Sequence, residues 1–238
     1  RPAEVGRSEL IRATGDALGI PVIEFEREGQ FRCNGSEAFV AWVENTLELR
    51  RTPNVLWDLG DPFELFVADT PGELEEWVRA RAASGATARL SAGFCWPWSN
   101  PRPDGSLVDD VQIGDWEMPW NAKSDAAVLG KDIPKSNFWA TDPRGVDQVG
   151  CVYTAQGFEY DYAGVIFGND LVYRHGEGWV GRPEYSHDSV VRKKKSDFTA
   201  LVKSAYRVLL TRGLRGCAVY AEDAETRDFI NSRVERTS

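Results

Sequence analysis

The sequence is poor in what most self-contained active sites require. Its 238 residues hold two histidines, four cysteines and one methionine, Met118. His175 and His187 stand in turn-like polar stretches, too few for a histidine-rich metal site and without a partnered nucleophile. Cys33, Cys95, Cys151 and Cys217 are widely spaced with no C-x-x-C pair, and three lie in strand-like settings (GFCW, VGCVY, RGCAVY). That pattern reads as reduced, buried thiols of a cytoplasmic protein and not as a metal site. A phosphate-cradling G-x-x-x-x-G-K-[ST] loop is missing: Gly130-Lys131 is followed by Asp132, and Asp125 stands where the first glycine should be. Gly176, Gly178 and Gly181 match G-x-G-x-x-G, but Arg182-Pro183 follow where a helix should open, so the glycines read as a hairpin tip. No G-x-S-x-G elbow occurs. No apolar run approaches the roughly 20 residues that span a bilayer, and no signal-peptide pattern opens the chain. The net charge of −9 argues against a wholly electrostatic nucleic-acid binder, though it leaves room for a narrow basic groove. On these grounds the chain is not a self-contained enzyme. Its first residue is Arg1 and its methionine is internal, which predicts a piece of a longer protein.

What is present is an α/β pattern. Hydrophobic residues at 42% and charged residues at 27% predict a soluble globular chain with a sizeable core. Helices are expected over 8–18, 35–49, 70–84, 198–213 and 224–234, with Thr70 as an N-cap and Pro71 at the first helical position. Strands are expected over 20–25, 63–68, 89–96, 149–153, 163–168 and 215–221, with a hairpin at 171–181. Their alternation predicts three layers, a mostly parallel central sheet covered by helices on both faces. Between about 97 and 138 the pattern breaks into Pro, Gly, Asp, Asn and Trp. This irregular insertion carries Trp98, Trp116 and Trp120, which need something to pack on.

Three segments put polar residues at sheet edges: Gln30–Gly35, Thr154–Glu159 and Val208–Gly213. Ligands of α/β sheets gather at strand ends, and an arginine held there offers a phosphate a charge-assisted fork. Each residue also has a plainer reading. Arg32 suits an ion pair with Glu26 or Glu28, Glu159 suits a surface acid after a turn, and Arg212 suits the dipole at a helix C-terminus. Arg192-Lys193-Lys194-Lys195 reads as phosphate contacts or as a solvated loop. Trp96 and Trp98 read as a stacking platform for bases or as buried core.

Taken in order, QFR at 30–32, TAQGFE at 154–159 followed by YDYAGVIFG, and YRVLLTRG at 206–213 resemble motifs IV, V and VI of a superfamily 1 helicase. QFRCNGSEAFVAW, ARLSAGFCWPWS, PWN at 119–121 and YRVLLTRGLRGCAVYAED are similar to the Schlafen group 3-like DNA/RNA helicase domain family. The resemblance runs over roughly residues 1–230 and is most specific over 149–223. It implies that 1–238 form the second, C-terminal RecA-like domain of an ATP-dependent DNA or RNA helicase or translocase. RPAEVG at the start resembles the end of the motif III segment, which places an N-terminal motor domain and its phosphate loop upstream. ATP with Mg2+ would lie between the two domains, with the metal held by the first. The resemblance makes Arg212 and Arg32 the catalytic arginines, and Gln30, Gly157 and Glu159 further nucleotide contacts. It gives Thr154 and Gln156 a place on the nucleic-acid backbone, to which the residue readings above add Lys193, Lys194 and Trp96 as nucleic-acid contacts. Single-stranded DNA or RNA and the first RecA-like domain are the implied partners, with no membrane. A degenerate helicase-like module that binds protein or nucleic acid without hydrolysing ATP is the competing reading.

Overall fold

The computed structural model of the chain describes residues 8–20, 36–194 and 196–235. Within them the order is α1 (Ser8–Leu18), α2 (Glu37–Thr46), β1 (Glu64–Val67), α3 (Pro71–Ala83), β2 (Ala88–Ala92), β3 (Val111–Ile113), β4 (Trp116–Met118), β5 (Val149–Gly150) and α4 (Val152–Ala155). Then follow β6 (Tyr160–Phe167), β7 (Leu171–Arg174), β8 (Gly178–Gly181), α5 (Ser189–Arg192), α6 (Phe198–Leu210), β9 (Gly213–Ala221) and α7 (Ala224–Asn231). The expected strand over 20–25 falls almost wholly outside the described residues, as does Cys33.

Five strands form one parallel sheet in the order β1-β9-β6-β2-β5. Parallel strands need both faces covered, and the side-chain alternation shows that they are. From β6 and β9, Ala163, Val165, Phe167, Cys217, Val219 and Ala221 enter one core, against Phe39 and Trp42 of α2, Phe198 and Tyr206 of α6 and Phe229 of α7. Their neighbours Tyr162, Ile166, Ala218 and Tyr220 enter the other, against Leu74 and Val78 of α3. The three-layer α/β arrangement expected of a RecA-like domain is therefore present. Local signals fix the helices. Thr70 accepts from the Glu73 N–H and Pro71 opens α3, as the sequence predicts. Asp223 accepts from Thr226 at the start of α7 and binds Arg174 of β7 at 2.8 Å, fastening the β7–β8 hairpin to that helix. Burial alone would raise the Asp223 carboxyl, but the Arg174 and Thr226 bonds hold it at about 2. No helix among the described residues is long and apolar enough to cross a membrane.

Several boundaries differ from the sequence expectation. The 149–153 strand ends after Gly150, because Cys151 turns the chain into the single helical turn α4. Only Cys217 of the described cysteines lies in a strand; Cys95 follows β2 and Cys151 caps α4. Strand β2 stops at Ala92 instead of running to 96, so the irregular excursion begins at Gly93 and returns only at Val149. Strand β6 starts at Tyr160 and β9 at Gly213, with a register shift where Tyr160 and Tyr162 meet Gly213 and Gly216. The excursion is ordered inside, holding the β3–β4 hairpin. Its tryptophans do pack: Trp120 is 1% exposed with Trp98 and Trp96 about it at 6.0 and 6.2 Å. The Trp116 indole N–H reaches Glu75 of α3 at 2.7 Å.

Candidate functional site

Strands β6 and β9 lie side by side, so the residues just before each of them meet at one edge of the sheet. Arg212 precedes β9 at the end of α6, and Phe158-Glu159 precede β6. The two segments are bonded reciprocally. The Tyr160 N–H donates to the Arg212 carbonyl at 3.2 Å, and Arg212 Nη1 donates to the Phe158 carbonyl at 3.2 Å. Arg212 Nε donates to Val208 in the last turn of α6 at 2.9 Å, and the residue is only 3% exposed. Glu159 and Gln156 face solvent. Gly157 turns the chain between them with a φ of +92°, a conformation that glycine adopts without strain. Thus the structure brings Gln156, Gly157, Glu159 and Arg212 together. Gln30 and Arg32 lie outside the described residues.

This edge is the amino end of the strands. The general preference of α/β ligands for carboxyl ends does not account for it; the pairing of β6 with β9 does. An arginine cation and an exposed carboxylate suit a phosphate oxygen and a ribose hydroxyl respectively.

Thr154 sits not in the turn but on α4, 7% exposed, donating through Oγ1 to Asn121 Oδ1 at 2.9 Å. Asn121 in turn donates to the Ala122 carbonyl at 2.9 Å, so the PWN segment of the excursion is tied to the start of the TAQG segment. Beside this link opens a groove of about 430 Å³ between α4 and the excursion. Lys123 and Lys135 line it with Tyr153, Thr154 and Phe158, so residues that sequence reasoning missed stand next to ones it named. Nothing in the spacing of Lys123, Lys135 and Tyr153 signals this; only the return of the excursion onto α4 does.

Lys193 and Lys194 are exposed at the end of α5. That helix is joined to α4, because its N-cap Asp188 accepts from the Tyr153 hydroxyl. Trp96 is half-buried on Trp120, with its indole N–H on the Gln112 carbonyl at 2.9 Å. Trp98 likewise donates to Asn121 at 2.9 Å. Both rings belong to the cluster that holds the excursion together.

The opposite, carboxyl edge holds a cluster of buried Asp170 and Tyr206 with half-buried Cys95. The Tyr206 hydroxyl donates to Asp170 at 2.7 Å and accepts from the Gly168 N–H at 2.9 Å. Burial pushes the Asp170 carboxyl up, even though bonds from Tyr206 and Cys95 favour its charged form. A carboxyl raised in the fold contributes stability below the ordinary value of 3.8, and that contribution is lost as pH rises through the raised one. Asp170→Asn is therefore expected to melt above wild type at pH 7.5, with the gap closing as pH falls towards 4. Thermal melts across that range check this; a variant melting lower at pH 7.5 refutes it.

Comparison with known proteins gives three findings. The family model described as Schlafen group 3, DNA/RNA helicase domain, matches residues 1–223. A protein of Saccharomyces cerevisiae named only as uncharacterized protein YPL245W is 30% identical over 177 residues. That match covers 71% of this chain but 36% of the yeast protein, so the chain spans about a third of its relative. No solved structure matches the chain.

Proposed function

The chain belongs to the Schlafen group 3 DNA/RNA helicase domain family, and from that premise we propose that it is the second RecA-like half of an ATP-driven motor on single-stranded nucleic acid. The observation that carries this reading is the reciprocal pair of bonds joining Arg212 to Phe158 and Tyr160. It supports a single unit in which the arginine and the Glu159 carboxylate face the same ligand. Bound ATP with Mg2+ would supply a phosphoryl group for transfer to water, its metal held by the other half. Arg212 would place positive charge beside the phosphates, where such transfers gather negative charge. Glu159 would accept from a ribose hydroxyl. Thr154 and Gln156, six and four residues before Tyr160, would meet the strand, so that strand and nucleotide contacts share one short segment.

A second reading has an observation of its own. Arg212 is 3% exposed and already donates to two carbonyls, which favours a structural arginine in a module that only binds. ATP hydrolysis by the full-length protein, measured with and without single-stranded oligonucleotide, separates the two. Strand-stimulated turnover is the expected result. Strand binding without turnover would leave the binding module as the function.

A further inference from the structure

The groove between α4 and the excursion is unlike the rest of this surface. The sequence holds 37 acidic and 28 basic residues, yet the groove is lined by Lys123 and Lys135 with no carboxylate. Lys123 donates to a neutral partner, Asn100 Oδ1, at 2.9 Å, so its charge stays available to the groove. Hydroxyls of Ser124 and Ser136 add donors, beside the apolar Leu129 and Phe158. Phosphate, sugar and base each find their chemistry there. At about 430 Å³ the space lies within the range of small-ligand sites, and a neighbouring cavity of about 300 Å³ shares Ala126 and brings Arg102 together with Asp125.

Tyr153 gives the groove its specificity. Its side chain is 56% exposed, but its hydroxyl is pinned to Asp188, so the ring is presented to solvent in a fixed place. A fixed ring loses little freedom when a base stacks on it. Trp96 and Trp98, which the sequence offers as a stacking platform or as buried core, have their indole N–H groups committed inside the excursion.

We propose that this groove seats a segment of a single strand, with Lys123 and Lys135 on successive phosphates and the Tyr153 ring stacked on one exposed base. This rests on the strand-binding reading above and adds the excursion as the surface that selects unpaired bases.

Fluorescence anisotropy of the full-length protein with a labelled oligothymidine, across a salt series, tests it. Lys123→Ala/Lys135→Ala is expected to weaken binding about tenfold or more at low salt. The slope of log K against log salt should become shallower by about 1.4, two phosphate contacts at about 0.7 each. Tyr153→Leu should weaken binding about tenfold, while Tyr153→Phe, which keeps the ring but frees it from Asp188, should fall between wild type and Tyr153→Leu. A double lysine variant with the wild-type slope overturns the proposal, and so does a Tyr153→Phe as weak as Tyr153→Leu. Displacement of the oligonucleotide by equimolar thymidine monophosphate would make the groove a mononucleotide site and overturn it as well. If wild type binds and the variants match it, the groove alone is refuted; if wild type binds no strand, the strand-binding reading falls with it.

Discussion

Arg212→Ala in the full-length protein is expected to cut strand-stimulated ATP turnover by about a hundredfold or more, with strand affinity unchanged. Arginines that meet a transferring phosphoryl group are worth about 10³–10⁵ in rate in other systems, so a hundredfold is a conservative floor. The structure adds a second cost that must be separated from the first. Removing the guanidinium leaves the Val208 and Phe158 carbonyls without that donor in a nearly buried place, at about 1–3 kcal/mol for each carbonyl left unsatisfied. The variant should therefore melt lower as well. The readout that a purely structural arginine would not move is turnover per folded molecule, counted by strand-binding stoichiometry, with kcat reported apart from KM. A fall in kcat at an unchanged ATP KM identifies a charge that acts in the transition state. A lower melting temperature with normal kcat per strand-competent molecule would leave Arg212 a structural residue and return the domain to the binding-module reading.

The position of that arginine also explains how two ligands could influence one another. From Tyr153 in the groove to Tyr160 at the amino edge is one short stretch: the end of α4, the Gly157 turn and the bond to Arg212. A strand pressing on Tyr153 or Thr154 and a phosphate drawing on Arg212 would act on opposite ends of it. Such a coupling needs no long chain of contacts, and under the proposed motor reading it would give domain closure something local to transmit.

Much of this fold is legible in the sequence. The Thr70-Pro71 start of α3, the apolar stripe of α6 and the β7–β8 hairpin follow from short-range rules, which act within one or two turns of chain. The meeting of Arg212 with the Glu159 segment is beyond the reach of such rules. It depends on β6 and β9 being neighbours although α6 and a hairpin separate them. The groove is invisible in the sequence for a different reason. Lys123 and Lys135 belong to a stretch with no periodicity, whose course is set by tryptophans packing on one another and by single links such as Thr154 to Asn121. No local rule gives the direction of such a chain. The β5 strand reads too long because Val149-Gly150-Cys151-Val152-Tyr153 has a strand's composition, while Cys151 turns it into a helix.

How the excursion is anchored leads to the second large effect, at Gly150. This residue pairs with Ser91 on the edge of the sheet, and a Cβ built on it would stand 2.3 Å from the ring of Trp139. Trp139 cannot retreat. It is fully buried, its ring meets Tyr160 edge-on at 6.2 Å, its indole N–H reaches Gln148 at 3.3 Å, and its carbonyl is held by Arg89 Nε at 2.7 Å. Gly150→Ala is thus expected to cost about 3 kcal/mol, the upper end of overpacking penalties. For a chain of this size that is a fall of about 6–12 °C in melting temperature. In a Trp139→Ala background, itself costing about 3–5 kcal/mol, the same change should be neutral or stabilising by about 0.5–1 kcal/mol. Its φ is not in the left-handed region, so without the ring the alanine only restricts the unfolded chain. A reversal of sign between the two backgrounds, read from urea denaturation of the four proteins, is the signature of direct contact. Equal penalties in both would mean that Trp139 is not what fills the space over Gly150. Because the groove lysines lie on the same excursion as Trp139, Gly150→Ala should also weaken oligonucleotide binding well below its melting temperature. A variant that binds the strand as wild type while melting lower would separate the anchor from the groove.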